Sequence, residues 1–244
     1  MSITRWDYSK SKSSYHFDPK RDEDAEPPFR ILGHVNEDLK SELERLLRIE
    51  APEEQTFANA LKKYRGGDAV PYTLEMDREE LRYRGISEDD CLFCRLPIRQ
   101  SELFLRVGAS FGMESWRAGL HLQYPGQSFI YHVDELPDMK QNDPDHWLDR
   151  TPEAAARFAI QILDWEPGHV WAFGNTYWKQ WRAGEIAFHD WRDVPHGTAN
   201  LSRSLRATLQ VTGLVTARTR RIIEDGLKAP AREARAAPAA TSSA

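Results

Sequence analysis

Three side chains in this sequence have the types and spacing to hold one metal ion. Tyr131-His132-Val133-Asp134 sets an imidazole and a carboxylate two residues apart, and on a β-strand such residues point to the same face. His196, in Asp193-Val194-Pro195-His196-Gly197-Thr198-Ala199-Asn200, supplies a second imidazole 62 residues after Asp134. Two imidazoles and one carboxylate on one face of an ion leave three positions open to exogenous ligands, an arrangement suited to iron(II) oxygen chemistry. An H-x-D pair alone is common and says little. A second signal adds weight: Arg206 follows His196 by ten residues, in the strand-like Ser204-Leu205-Arg206-Ala207-Thr208-Leu209-Gln210-Val211. A buried guanidinium there would receive a carboxylate bidentately. Thr208 shares its face and offers a hydroxyl donor.

Other residues compete for roles. His189 in Phe188-His189-Asp190-Trp191 is an alternative distal ligand, but Arg203 then lies fourteen residues on rather than ten, and His189 reads better as a pocket or loop residue. His121 and Gln123 share one strand face and either touch a ligand or form a satisfied polar pair. Asn200 is placed to brace the loop after His196. Trp171, Trp178, Trp181 and Trp191 either wall a substrate or pack the outer sheet, the latter being the commoner use. Arg117 and Arg182 read as surface residues, with anion binding as the alternative. Cys91-Leu92-Phe93-Cys94 has C-x-x-C spacing, but a structural zinc needs four ligands and no second pair exists, so these are two ordinary thiols.

The elements that must position these groups are short strands. Apolar runs over 103–108, 116–124, 128–134, 157–164, 169–173, 185–189 and 205–215 are separated by turn signals such as Pro125-Gly126, Glu166-Pro167-Gly168 and Ala183-Gly184. Seven or eight such strands predict a sandwich, jelly roll or barrel. Residues 1–35 read as a polar N-terminal arm, and 36–100 as a helical region. Within it Leu39, Leu43, Leu46 and Leu47 have helical spacing behind an Asn36 cap, and a second helix covers 53–64. The β core spans 101–225 and includes a final helix over 216–227. Residues 226–244, rich in Ala, Pro and Ser, read as a disordered tail. No internal repeat occurs.

Composition bounds the reading. The 244 residues carry a net charge of −5, which argues against a general nucleic-acid binder. No apolar run reaches the roughly 18 residues of a membrane span, the N-terminus lacks a signal-peptide core, and two cysteines suit a reducing cytoplasmic setting.

Taken with their spacing, these segments resemble the iron(II)/2-oxoglutarate-dependent oxygenases, specifically the prolyl-4-hydroxylase-like branch. Gly126-Gln127-Ser128-Phe129-Ile130-Tyr131-His132-Val133-Asp134 is similar to the segment leading into the iron ligands. Ala183-Gly184-Glu185-Ile186-Ala187-Phe188, then Pro195-His196-Gly197 and Arg206, is similar to the closing hairpin, and Arg157–Leu163 fits the intervening strand. The likeness covers about residues 101–215. It implies a mainly β fold with flanking helices, a double-stranded β-helix. It also implies Fe(II) held by His132, Asp134 and His196, and 2-oxoglutarate held by Arg206, Thr208 and Tyr124. The implied reaction is O2-dependent hydroxylation or related C–H oxidation of a small-molecule or peptidyl substrate. Asp134, where related halogenases carry Gly or Ala, implies hydroxylation rather than halogenation. Glu166-Pro167-Gly168-His169-Val170-Trp171 departs from the acidic, glycine-rich segment of many prolyl hydroxylases, which speaks against a prolyl substrate. Two alternatives stay open: a cupin-type metal dioxygenase or isomerase without 2-oxoglutarate, and a catalytically silent jelly-roll binding module.

Overall fold

A computed structural model describes residues 28–56, 87, 90–132, 154–189, 191 and 194–228. Among the described residues, eleven strands form two antiparallel sheets. They are β1 (Phe29–His34), β2 (Glu53–Thr56), β3 (Cys91–Leu96), β4 (Glu114–Gln123), β5 (Ser128–His132), β6 (Ala155–Gln161), β7 (His169–Phe173), β8 (Thr176–Trp178), β9 (Glu185–His189), β10 (His196–Asn200) and β11 (Arg206–Leu214). The helices are α1 (Leu39–Ile49), α2 (Glu102–Ser110) and α3 (Ala217–Lys228). The large sheet runs β1-β9-β6-β11-β4-β3-β2 and the small one β5-β10-β7-β8. From β4 to β11 the chain passes back and forth between β9-β6-β11-β4 and β5-β10-β7-β8. The fold is a double-stranded β-helix.

Strand alternation divides the large sheet into two chemically different faces. Leu120 and Leu122 of β4, Phe158 and Ile160 of β6, Leu209 and Val211 of β11, and Cys94 and Leu96 of β3 belong to one buried apolar cluster. Leu39, Leu43 and Leu46 of α1 and Phe104 and Val107 of α2 cover it. The intervening residues turn toward the small sheet and are largely polar. Gln123, Gln161, Arg206, Thr208 and His189 are buried there, while Ala159 and Ala187 pack with Trp171, Phe173, Trp178 and Trp181. Apolar burial on the helical side stabilises the sheet. The space between the sheets therefore combines buried polar groups with a second, smaller apolar cluster.

Several sequence expectations change. Residues 103–108 are helical, within α2. Their apolar run suits either element, but Ser101 caps it by accepting from the Phe104 amide at 3.1 Å, and burial recurs at Phe104 and Val107. The expected helix at 53–64 begins instead as β2, an edge strand paired with β3, so tertiary pairing overrides helix propensity. Its remainder lies outside the described residues. Residues 29–34, within the expected polar arm, form β1 against β9. Helix α1 is capped by Asp38, which directly precedes it and accepts from the Ser41 amide, while Asn36 Oδ1 meets His34 Nδ1 at 3.0 Å. Strands β3, β8 and β10 have no counterpart among the predicted strands, and residues 229–244 lie outside the described residues. No described helix is long and apolar enough to cross a membrane.

Candidate functional site

The β5–β10 ladder places His132 directly opposite His196, so two imidazole-bearing positions 64 residues apart in sequence become cross-strand neighbours. Asp134 lies outside the described residues, two positions beyond His132. Gly197 lets the strands approach: a Cβ there would sit 3.1 Å from the Phe129 carbonyl oxygen. His196 is buried, and its Nδ1 donates to the Val194 carbonyl at 3.1 Å. That bond fixes the ring and leaves Nε2 as the nitrogen with a lone pair. Phe173, opposite His196 on β7, stacks on it at 6.3 Å. The His189 ring lies 4.9 Å from the His196 ring, edge to face. His189 is therefore a buried lining residue of this corner, at the end of β9.

One inward step along β7, Trp171 marks the second corner. Arg206 is 4% exposed, and its guanidinium lies 4.8 Å from the Trp171 ring and 5.6 Å from the Trp181 ring. Its Nη1 donates to Gln123 Oε1 at 2.8 Å, while Nε and Nη2 have no partner. Burial pushes its pKa down to about 9, with no acid among the described residues to offset that effect. Gln123 is itself held, its amide donating to the Leu92 carbonyl at 3.3 Å. His169 stacks parallel to Trp181 at 6.0 Å. Its pKa is lowered, first by burial and then by the Arg206 charge, so a second cation is disfavoured here.

Thr208 shares the Arg206 face and donates its hydroxyl to Gln161 Oε1 at 3.0 Å. Gln161 Nε2 and Trp171 Nε1 are buried without partners. Tyr124 is not brought to this corner. It follows the end of β4, alternates with Gln123, and is 38% exposed. Its pKa is raised by partial burial and by Cys94, which belongs to the outer apolar cluster. Gln123, not Tyr124, meets Arg206.

The turn joining the two corners is braced as Asn200 suggested. Its amide donates to the Gln123 and Ser204 carbonyls at 2.7 Å each, and its Oδ1 accepts from the Ser202 amide and hydroxyl. Gly168, at φ +103, packs against this turn, where a Cβ would meet the Ser202 nitrogen at 2.6 Å. Of the tryptophans, Trp171 and Trp181 face Arg206 between the sheets rather than packing an outer surface, and Trp178 packs against both. Trp191 lies 5.8 Å from the Arg157 guanidinium. His121 stacks on Phe93 at 4.8 Å. Cys91 and Cys94 are free thiols, with their sulfurs 3.7 Å apart.

Among the described residues no three His, Cys, Asp or Glu side chains are grouped to hold a metal. The His132–His196 pair would need Asp134 as its third member. Sequence reasoning missed Gln161, because a single glutamine in an apolar strand carries no motif. Its inward position two residues beyond Ala159 was the available signal.

No family model matches this chain, and no curated protein matches it. Among solved structures it is similar to TT1209 from Thermus thermophilus, at 20% identity over 50% of this chain and 83% of that one, with a TM-score of 0.31. A Cupin 2 conserved barrel domain protein from Salinispora arenicola matches at 11% identity over 46% and 72%, TM-score 0.28. A predicted oxalate decarboxylase from Thermotoga maritima matches at 14% over 50% and 79%, TM-score 0.30. Likeness at this level transfers no activity, and the fold rests on the strand order alone.

Proposed function

We propose that this chain is an iron(II)- and 2-oxoglutarate-dependent oxygenase that hydroxylates, or otherwise oxidises, a C–H bond of a small-molecule or peptidyl substrate. The observation that carries this reading is the state of Arg206. Burying an unpaired charge is costly, yet this guanidinium is fully buried, has a neutral partner on one nitrogen, and presents its Nε and Nη2 donors together. Those two N–H groups form the side-on fork that accepts both oxygens of one carboxylate.

The metal corner is consistent with the same ligand. His132, Asp134 and His196 are the donor set for Fe(II): two imidazoles and a carboxylate, with His196 already oriented through Nδ1. When bound, iron would supply O2 activation, with O2 as the oxidant and 2-oxoglutarate giving two electrons as it is converted to succinate and carbon dioxide. Arg206 is offset from His196 by one inward step of β7, from Phe173 to Trp171. Two residues of strand span about 7 Å, commensurate with a five-carbon dicarboxylate reaching from one corner to the other. Trp171, Trp181 and Phe173 close the wall between them and keep water away.

Anaerobic titration with Fe(II) and 2-oxoglutarate tests this directly. A visible charge-transfer band, and succinate release when O2 and substrate pools are added, are the expected results. Iron binding with no response to 2-oxoglutarate would instead indicate a cupin-type metal enzyme that does not use this cosubstrate. Binding of neither would leave a jelly-roll binding module.

A further inference from the structure

Between the sheets lies a buried donor, without a partner among the described residues, that the oxygenase reading does not use. Gln161 is 0% exposed. Its Oε1 accepts from Thr208 Oγ1 at 3.0 Å, while its Nε2 has no partner. Gln161 and Thr208 stand opposite each other on β6 and β11. Arg206 lies two residues along β11 on the same face, within diagonal reach of a long side chain.

A threonine hydroxyl carries one proton. Once that proton is given to Gln161 Oε1, Thr208 has none to offer a ligand. The same bond fixes the carboxamide oxygen on Thr208 and leaves its two N–H donors buried, with no partner among the described residues. A fully buried amide nitrogen without an acceptor loses the hydrogen bonds it made to water in the unfolded chain. The arrangement is economical only if an acceptor arrives. Among the described residues, the partnerless buried atoms of Arg206 (Nε and Nη2), Gln161 (Nε2) and Trp171 (Nε1) are all donors. A carboxylate, with about four acceptor sites, is the ligand chemistry that matches such a set.

We propose that Gln161 makes the second contact to the carboxylate received by Arg206, and that Thr208 is the positioning residue that orients the Gln161 carboxamide. The proposal rests on Arg206 being a carboxylate receiver. It reassigns Thr208 from ligand contact to support, and it makes the site selective for an anionic rather than a neutral end group.

The test is calorimetric titration of the metal-free full-length chain with succinate, a dicarboxylate that lacks the metal-chelating keto group. Proteins compared are wild type, Gln161→Leu, Gln161→Glu, Thr208→Val, Thr208→Ser and the Gln161→Leu/Thr208→Val double variant. One hydrogen bond to a charged group corresponds to roughly tenfold or more in affinity, so Gln161→Leu should bind about tenfold more weakly. The isosteric Gln161→Glu should bind more weakly still, since it meets the anion with a like charge. Thr208→Val should lose a few-fold, Thr208→Ser should match wild type, and the double variant should be no worse than Gln161→Leu alone, because Thr208 acts through Gln161. Unchanged binding by Gln161→Leu, or independent addition of the two losses, overturns the proposal. Tighter binding by Gln161→Leu overturns it too, by showing that the amide oxygen faces the ligand. A wild-type protein that binds no dicarboxylate fails at the earlier step, the Arg206 reading itself.

Discussion

Arg206 Nη1 donates to Gln123 Oε1 at 2.8 Å across the β11–β4 pair, a charged donor matched to a neutral acceptor. The neutral partner fixes the guanidinium without cancelling its charge. Gln123→Glu should therefore complete an internal ion pair and remove the site's affinity for anions. Succinate affinity is expected to fall by about 100-fold, on the scale of a buried charge pair, with no loss of thermal stability. Calorimetry and thermal unfolding on the same preparation check both halves. Wild-type affinity in Gln123→Glu would show that the charge at Arg206 does not hold the ligand.

Arg206→Met should separate ligand binding from folding. Removing an unpaired buried charge relieves a desolvation cost, and apolar replacements of buried charges are often neutral or stabilising. The unliganded variant should melt at or above the wild-type temperature. Wild-type protein should gain several degrees in saturating 2-oxoglutarate, and Arg206→Met should gain none. A sharp drop in the melting temperature of the unliganded variant would mark Arg206 as a structural residue.

Replacement of His132, Asp134 or His196 by Ala should each abolish retention of Fe(II), read by metal content after gel filtration. Succinate binding by the metal-free proteins should survive, because the Arg206 corner is built from other strands, β4, β6, β7 and β11. Stoichiometric iron in Asp134→Ala would remove that residue from the ligand set.

The lowered pKa of His169, caused first by burial and then by Arg206, sets a pH dependence. The folded protein protonates this ring less readily than the unfolded chain, which protonates it near 6.5. The unfolded state binds more protons as pH falls below about 6.5, so stability is full above that value and declines as pH drops through it. His169→Gln should flatten this part of the stability profile, read as denaturation midpoints between pH 7 and 5. An unaltered slope would mean that other groups carry it.

Thiol reactivity should divide between the two cysteines. Burial, followed by Cys91, raises the Cys94 pKa to about 11, and Cys94 is buried while Cys91 is half-exposed. The thiolate is the reactive form. Iodoacetamide at pH 8 should therefore label Cys91 first, with Cys94 labelled only after unfolding, as read by peptide mass spectrometry. Equal labelling in the native protein would contradict this placement.

Much of the β core was legible because its residues obey local rules. Strands at 169–173 and 185–189 have the limits expected from alternation and flanking turns. Those at β4, β6 and β11 differ by one to three residues at their ends. Leu103-Phe104-Leu105 was misread because a short apolar run fits a buried strand or a helix equally well, and Ser101 decides between them only through its cap. Strands β1 and β2 were missed because edge strands owe their existence to a distant partner, β9 or β3.

The sequence by itself determined the residue types and their order: an imidazole and a carboxylate two apart, a distant second imidazole, and an arginine ten residues on. It also determined the inward parity of Arg206 and Thr208, since strand periodicity is local. Only the tertiary structure decided which groups meet. It set His196 opposite His132, gave Arg206 to Gln123 rather than Tyr124, and turned the Thr208 hydroxyl to Gln161. These choices depend on register between strands far apart in sequence, where a shift of one residue would send each side chain to the opposite face.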